Sequence, residues 1–96
     1  MFHHVVLMGF KKALSESDQA FIVRHCELLK TVVPGLIEMR LVANASKRSP
    51  ELTHAIVAAF ADVQAHDFYQ TTPEHEALSR FVGEHKTQLV VLDYVA

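Results

Sequence analysis

The chain has 96 residues, half of them apolar and about a fifth charged, with a formal net charge of −2. That length suits one domain, read as residues 1–96, and the absence of a basic excess argues against nucleic-acid binding. No apolar run reaches the ~20 residues of a bilayer span, and no leader pattern opens the chain. The single Cys26 excludes an internal disulfide and fits a reducing compartment, so the cytoplasm is expected.

Phe2 to Phe10 is rich in β-branched and aromatic residues, ends at Lys11-Lys12, and predicts a first strand. Ser15 predicts a helix start, with Asp18 three residues on completing an approximate capping box. Ile22, Cys26, Leu29 and Val33 follow at helical spacing, and Pro34-Gly35 stops the helix. From Leu36 to Val42, apolar Ile37, Met39 and Leu41 alternate with Glu38 and Arg40, as in a strand with one wet face. The polar stretch Asn44 to Glu51 reads as a hairpin loop before a third strand, Thr53 to Phe60. Asp62 to Tyr69 and Thr72 to His85 predict helix on either side of a break at Pro73. Gln88 to Val95 closes the order as a fourth strand.

The order β-α-β-β-α-β predicts an α+β, ferredoxin-like sandwich: a four-stranded antiparallel sheet with helices on one face. His4, Val6, Met8 and Phe10 should share a face with His54, Ile56, Ala58 and Phe60. Val5, Leu7, Ala55, Val57, Val90, Leu92 and Tyr94 should lie on the other. Strands apolar on both faces belong to a sheet covered on both sides, and the helices cover only one. A second copy is therefore expected on the open face, giving a homodimer formed sheet to sheet.

The segment Tyr69-Gln70-Thr71-Thr72-Pro73-Glu74-His75 carries the most chemistry. Thr72 is a natural N-cap and Pro73 a natural first helical residue, so His75 falls in the first turn. There the helix dipole disfavours the imidazolium and leaves a ring able to take a proton. Tyr69 could supply a hydrogen bond to a developing enolate oxygen. His4 and His54, early in antiparallel neighbours, belong toward opposite ends of the sheet and make a poor joint metal site. His3 should face the dimer partner, and His25, His66 and His85 read as solvent or rim residues. No ligand-spacing motif indicates a metal, and three scattered glycines make no phosphate loop. Neither a metal nor a cofactor is expected.

With these pieces placed, the chain resembles the stress-responsive dimeric α/β-barrel (Dabb) domain family over nearly its whole length. The matching stretches are His4-Val5-Val6-Leu7 with Phe10-Lys11, then Val33-Pro34-Gly35 and Thr53-His54. Pro73-Glu74-His75 stands where the family has Pro-Ala-His, and Leu92-Asp93-Tyr94 matches the closing strand. The resemblance implies the barrel-type dimer. One understood member is a plant polyketide cyclase, a cofactor-free aldol-condensing enzyme whose Tyr and His pair has the spacing of Tyr69 and His75. Its two strand histidines correspond to His4 and His54. A pocket tyrosine of that enzyme is Cys26 here, and an aromatic residue is Lys86, which implies a differently shaped pocket. The expected lining is His4, Val6, Met8, His54 and Ile56 from the strands with Ile22, Cys26 and Leu78 from the helices. Three functions stay open on the residues: a cofactor-free lyase or cyclase on a small carbonyl or polyketide-like compound using Tyr69 and His75; a non-catalytic, ligand-binding or stress-associated dimer; and a haem-binding barrel protein.

Overall fold

A computed structural model describes residues 1–96. Strand β1 (Phe2–Phe10) leads to helix α1 (Glu16–Val32), then β2 (Leu36–Ala43) and β3 (His54–Phe60). Two helices, α2 (Val63–Tyr69) and α3 (Pro73–His85), precede β4 (Lys86–Val95). The sheet is antiparallel in the order β2-β3-β1-β4, with β1 in the interior between β3 and β4.

Local sequence sets the helix ends. Ser15 accepts a hydrogen bond from the Asp18 N–H, and Asp18 in turn accepts one from the Ser15 N–H, a complete capping box. After α1 the chain turns at Gly35, whose φ of 88° lies in the left-handed region. A Cβ there would also stand 2.9 Å from the Ala65 Cβ, so the same glycine lets α2 approach.

The core lies between the helices and one sheet face, around Met8, Ile22, Leu29, Met39 and Phe60, all essentially without exposure. Two register shifts move side chains from where simple alternation places them. Leu36 pairs with Phe60 and Glu38 with Ala59, so Ile37 bulges out of the β2–β3 ladder. Leu36 and Met39 are buried as a result, while Ile37 is 55 % exposed rather than sharing the inner face with Met39 and Leu41. The second shift, at Gly9/Phe10, pairs Phe10 with Lys86 and starts β4 two residues before the expected Gln88. Gly9 sits where a Cβ would meet the Glu51 carbonyl oxygen at 2.2 Å, so the β2–β3 loop closes directly against β1.

The face away from the helices carries Val5, Leu7 and Val57 half-buried, with Val90, Leu92 and Tyr94 exposed. His3 stacks on Tyr94 on this face, with ring centroids 4.6 Å apart. His25 and His85 complete a line of stacked rings, His25–Phe21–Phe81–His85, that ties α1 to α3. Each of these histidines donates its Nδ1–H to the carbonyl four residues earlier. No helix is long and apolar enough to cross a membrane.

Candidate functional site

Thr72 is the hinge on which the site is built. Its hydroxyl donates to the Tyr69 carbonyl at 2.8 Å and accepts the His75 N–H at 3.1 Å. One side chain thus joins the last turn of α2 to the first turn of α3, with Pro73 at the first helical position. The Tyr69 and His75 rings meet edge to face at a centroid separation of 4.4 Å. Both border an open cavity of about 300 Å³ whose walls come from β1, β3, the end of α2, α3 and β4.

Of the residues expected to line this pocket, His4, Val6, Met8, Ile56 and Leu78 do so together with Tyr69 and His75. Ile22 and Cys26 do not border it; they are sealed in the core as helix-stripe residues. His54 lies elsewhere, opposite Met8 in the ladder, whereas His4 pairs with Ala58. The antiparallel register that separates these two histidines leaves His54 against Phe10 and Thr53, beside a second hollow under the β2–β3 loop. Gln70, Ser79 and Lys86 add a polar rim, and Leu89 and Val91 of β4 complete the wall.

Burial sets the proton chemistry. It lowers the His75 pKa from the ordinary 6.5, nearby His4 and His66 push the same way, and a hydrogen bond to the Gln70 backbone opposes them. The ring is therefore neutral at neutral pH, with burial rather than the helix dipole as the leading cause. Tyr69 is only 3 % exposed, and its pKa is driven well above the ordinary phenol value by burial, then by Cys26 and Asp93 nearby. It is a proton-bearing hydrogen-bond donor. Burial also raises the Cys26 thiol to about 11, so Cys26 is no nucleophile at neutral pH.

His66 is not a rim residue. It is 7 % exposed, packed against the rings of Phe2, Phe60 and His4, because α2 lays it over the end of β1. Asp93 of β4 stands opposite His4 in the ladder and accepts a hydrogen bond from His4 Nδ1–H at 2.5 Å. One donor atom each from His4, His66 and Asp93 lies within 4.8 Å of the others. Three different elements contribute these residues, so no spacing motif in the sequence could show the cluster.

A four-stranded antiparallel sheet flanked on one face by helices, with a pocket between the layers, defines a ferredoxin-like α+β protein. Residues 2–96 match the model of the stress responsive A/B barrel domain, and the chain belongs to that family. None of the curated proteins matches it in sequence. Among solved structures, it is similar to a Dabb family protein with a ferredoxin-like fold from Mesorhizobium loti. That pair has 22% identity and a TM-score of 0.80, over 99% of this chain and 95% of the other. A hydroxynitrile lyase from Passiflora edulis is 20% identical, with a TM-score of 0.83 over 99% and 92% of the two chains. A dimeric protein of unknown function from Bacteroides fragilis is 19% identical, with a TM-score of 0.79 over 99% and 95%.

Proposed function

We propose that the protein is a lyase or cyclase that acts on a small carbonyl or polyketide-like compound, needs no organic cofactor, and works as a homodimer. The observation that carries this reading is the Tyr69–His75 pair, 4.4 Å apart at the wall of a mostly apolar cavity. Tyr69 donates its hydroxyl proton in a hydrogen bond to the substrate carbonyl oxygen. Neutral His75 removes the proton on the adjacent carbon, and the electron pair of that C–H bond moves into the enolate held by Tyr69. The enolate carbon attacks a second carbonyl of the same molecule, and the resulting alkoxide takes the proton back from His75. Cleavage of a β-hydroxy carbonyl compound is the same path reversed. A hydroxynitrile lyase among the structural neighbours supports the reading only to the extent that this fold can carry a lyase.

The dimer reading rests on the uncovered sheet face, where Val90, Leu92 and Tyr94 are 44, 57 and 46 % exposed. A structural neighbour described as dimeric supports it. The lone Cys26 fits the cytoplasm.

The test follows deuterium exchange at the α-carbon of small β-hydroxy ketones and β-keto thioesters by NMR, together with product formation. Wild-type protein should catalyse exchange, His75→Ala should abolish it, and Tyr69→Phe should slow it. Exchange at the uncatalysed rate across the panel, or equal rates in wild type and His75→Ala, would end the proposal.

A further inference from the structure

We propose that His4, His66 and Asp93 form a binding site for one divalent transition-metal ion per chain. The inference is independent of the acid-base reading of Tyr69 and His75.

Two observations carry it. First, the three side chains converge: one donor atom from each lies within 4.8 Å of the other two. Tetrahedral coordination, with bonds of about 2.0–2.2 Å, places donors roughly 3.3 Å apart, so small side-chain rotations close the gap. The His4–Asp93 hydrogen bond opens from 2.5 Å as the ion takes the place of its proton. Asp93 has the freedom to adjust, since its side chain keeps about a third of its exposure.

Second, His66 Nε2 is buried and has no hydrogen-bond partner. Buried polar atoms are overwhelmingly satisfied, and an orphan nitrogen needs an explanation. The other nitrogen of the same ring, Nδ1, lies 3.5 Å from the Asp67 carboxylate. Nε2 is therefore on the opposite, inner edge of the ring. That is the arrangement of a ligating imidazole, with one nitrogen toward a carboxylate and the other left for an ion.

The donor set selects the metal. Two imidazoles and one carboxylate suit zinc, iron(II), copper, cobalt or nickel, and do not suit calcium or magnesium, which take oxygen ligands. The Asp93 carboxylate brings a negative charge to an otherwise apolar end of the sheet, and imidazoles bind a cation through their neutral form. The neighbouring rings of Phe2, Phe60 and Tyr69 pack against both imidazoles and hold them in place, and the partly exposed Asp93 side leaves a fourth position for water.

Untagged full-length protein, stripped with a chelator, should be titrated with cobalt(II) and followed by visible absorption and calorimetry. Wild type should bind a single ion with a tetrahedral spectrum, and zinc should displace it and raise the melting temperature. His66→Phe keeps a ring of similar size but removes a ligand, and should weaken binding by more than the roughly 10- to 100-fold that losing an outer-shell partner costs. Asp93→Asn, at a partly exposed position, gives a second variant that keeps the fold and should lose affinity to a similar degree. His54→Phe should bind as wild type does. Failure of wild-type protein to take up cobalt would overturn the proposal. So would equal affinity in His66→Phe or Asp93→Asn, which would place the ion on surface histidines, or loss of binding in His54→Phe.

Discussion

Replacing Tyr69 with Phe separates the hydroxyl from the ring, and the structure gives the two parts different jobs. The ring packs against His4, Phe60, His66 and His75 at centroid separations of 4.4 to 5.9 Å, contacts that phenylalanine keeps. The hydroxyl belongs to a residue 3 % exposed, and no hydrogen bond within the chain offsets the burial that raises its pKa. A hydroxyl fully buried without a partner costs about 1–3 kcal/mol; this one has an edge on the open cavity, where solvent relieves most of that cost. The variant should therefore be as stable as wild type or up to about 1 kcal/mol more stable, a rise of at most ~4–8 °C for a domain of this size. If Tyr69 is the donor to the enolate, the same change should slow turnover about 10²- to 10³-fold, the usual effect of losing one such donor. Scanning calorimetry and the exchange assay on the same preparation read both effects. A variant destabilised by more than about 1 kcal/mol would show that the hydroxyl is a structural hydrogen bonder, and the argument would fall.

Val57→Asp places an unpaired carboxylate on the helix-free sheet face and should give a monomeric or insoluble protein; an unaltered dimer in sedimentation would contradict the face assignment. Thr72→Ala removes the cap of α3 and the link to the Tyr69 carbonyl, and urea unfolding should show a loss of about 0.5–2 kcal/mol. Gly9→Ala drives a methyl into the Glu51 carbonyl and should cost about 1–3 kcal/mol by the same assay, with no loss if the loop simply lifts away. His54 and His75 both have folded pKa values below the ordinary 6.5, so the unfolded chain binds protons more readily. Stability should accordingly be full above pH 6.5 and fall as pH drops through the lowered values. The fall should be smaller in His54→Asn and His75→Asn, and equal falls in all three proteins would refute the assignment.

Much of this architecture is written in short-range signals. Ser15 with Asp18, Pro34 with Gly35 and Thr72 with Pro73 each mark an end through one or two residues, and all three behave as their local chemistry dictates. The alternation in β1 and β3 separates His4 and Met8 from Val5 and Leu7 because both strands keep an even register where they pair. Ile37 escapes the same reading because a bulge breaks the period of two, and nothing in Leu36-Ile37-Glu38 marks it. His66 escapes for a different reason: α2 has seven residues, too few for a periodic stripe to show which side is covered. The pairing of His4 with Asp93 depends on β4 lying beside β1, a fact of topology that neither strand carries alone.

The strand order has a kinetic consequence. Only β2 and β3 are joined by a hairpin; β1, though earliest in the chain, pairs solely with β3 and β4, across most of the sequence. Loop-closure entropy must be met before those pairings return any energy, which places this topology among slower folders of its size. Until then Phe2 to Phe10 has two open backbone edges and apolar side chains on both faces. His3 and His4 are the only strongly polar residues in that stretch, so little in β1 itself opposes self-association while it is unpaired. Refolding yield is therefore governed by how long β1 waits for its partners.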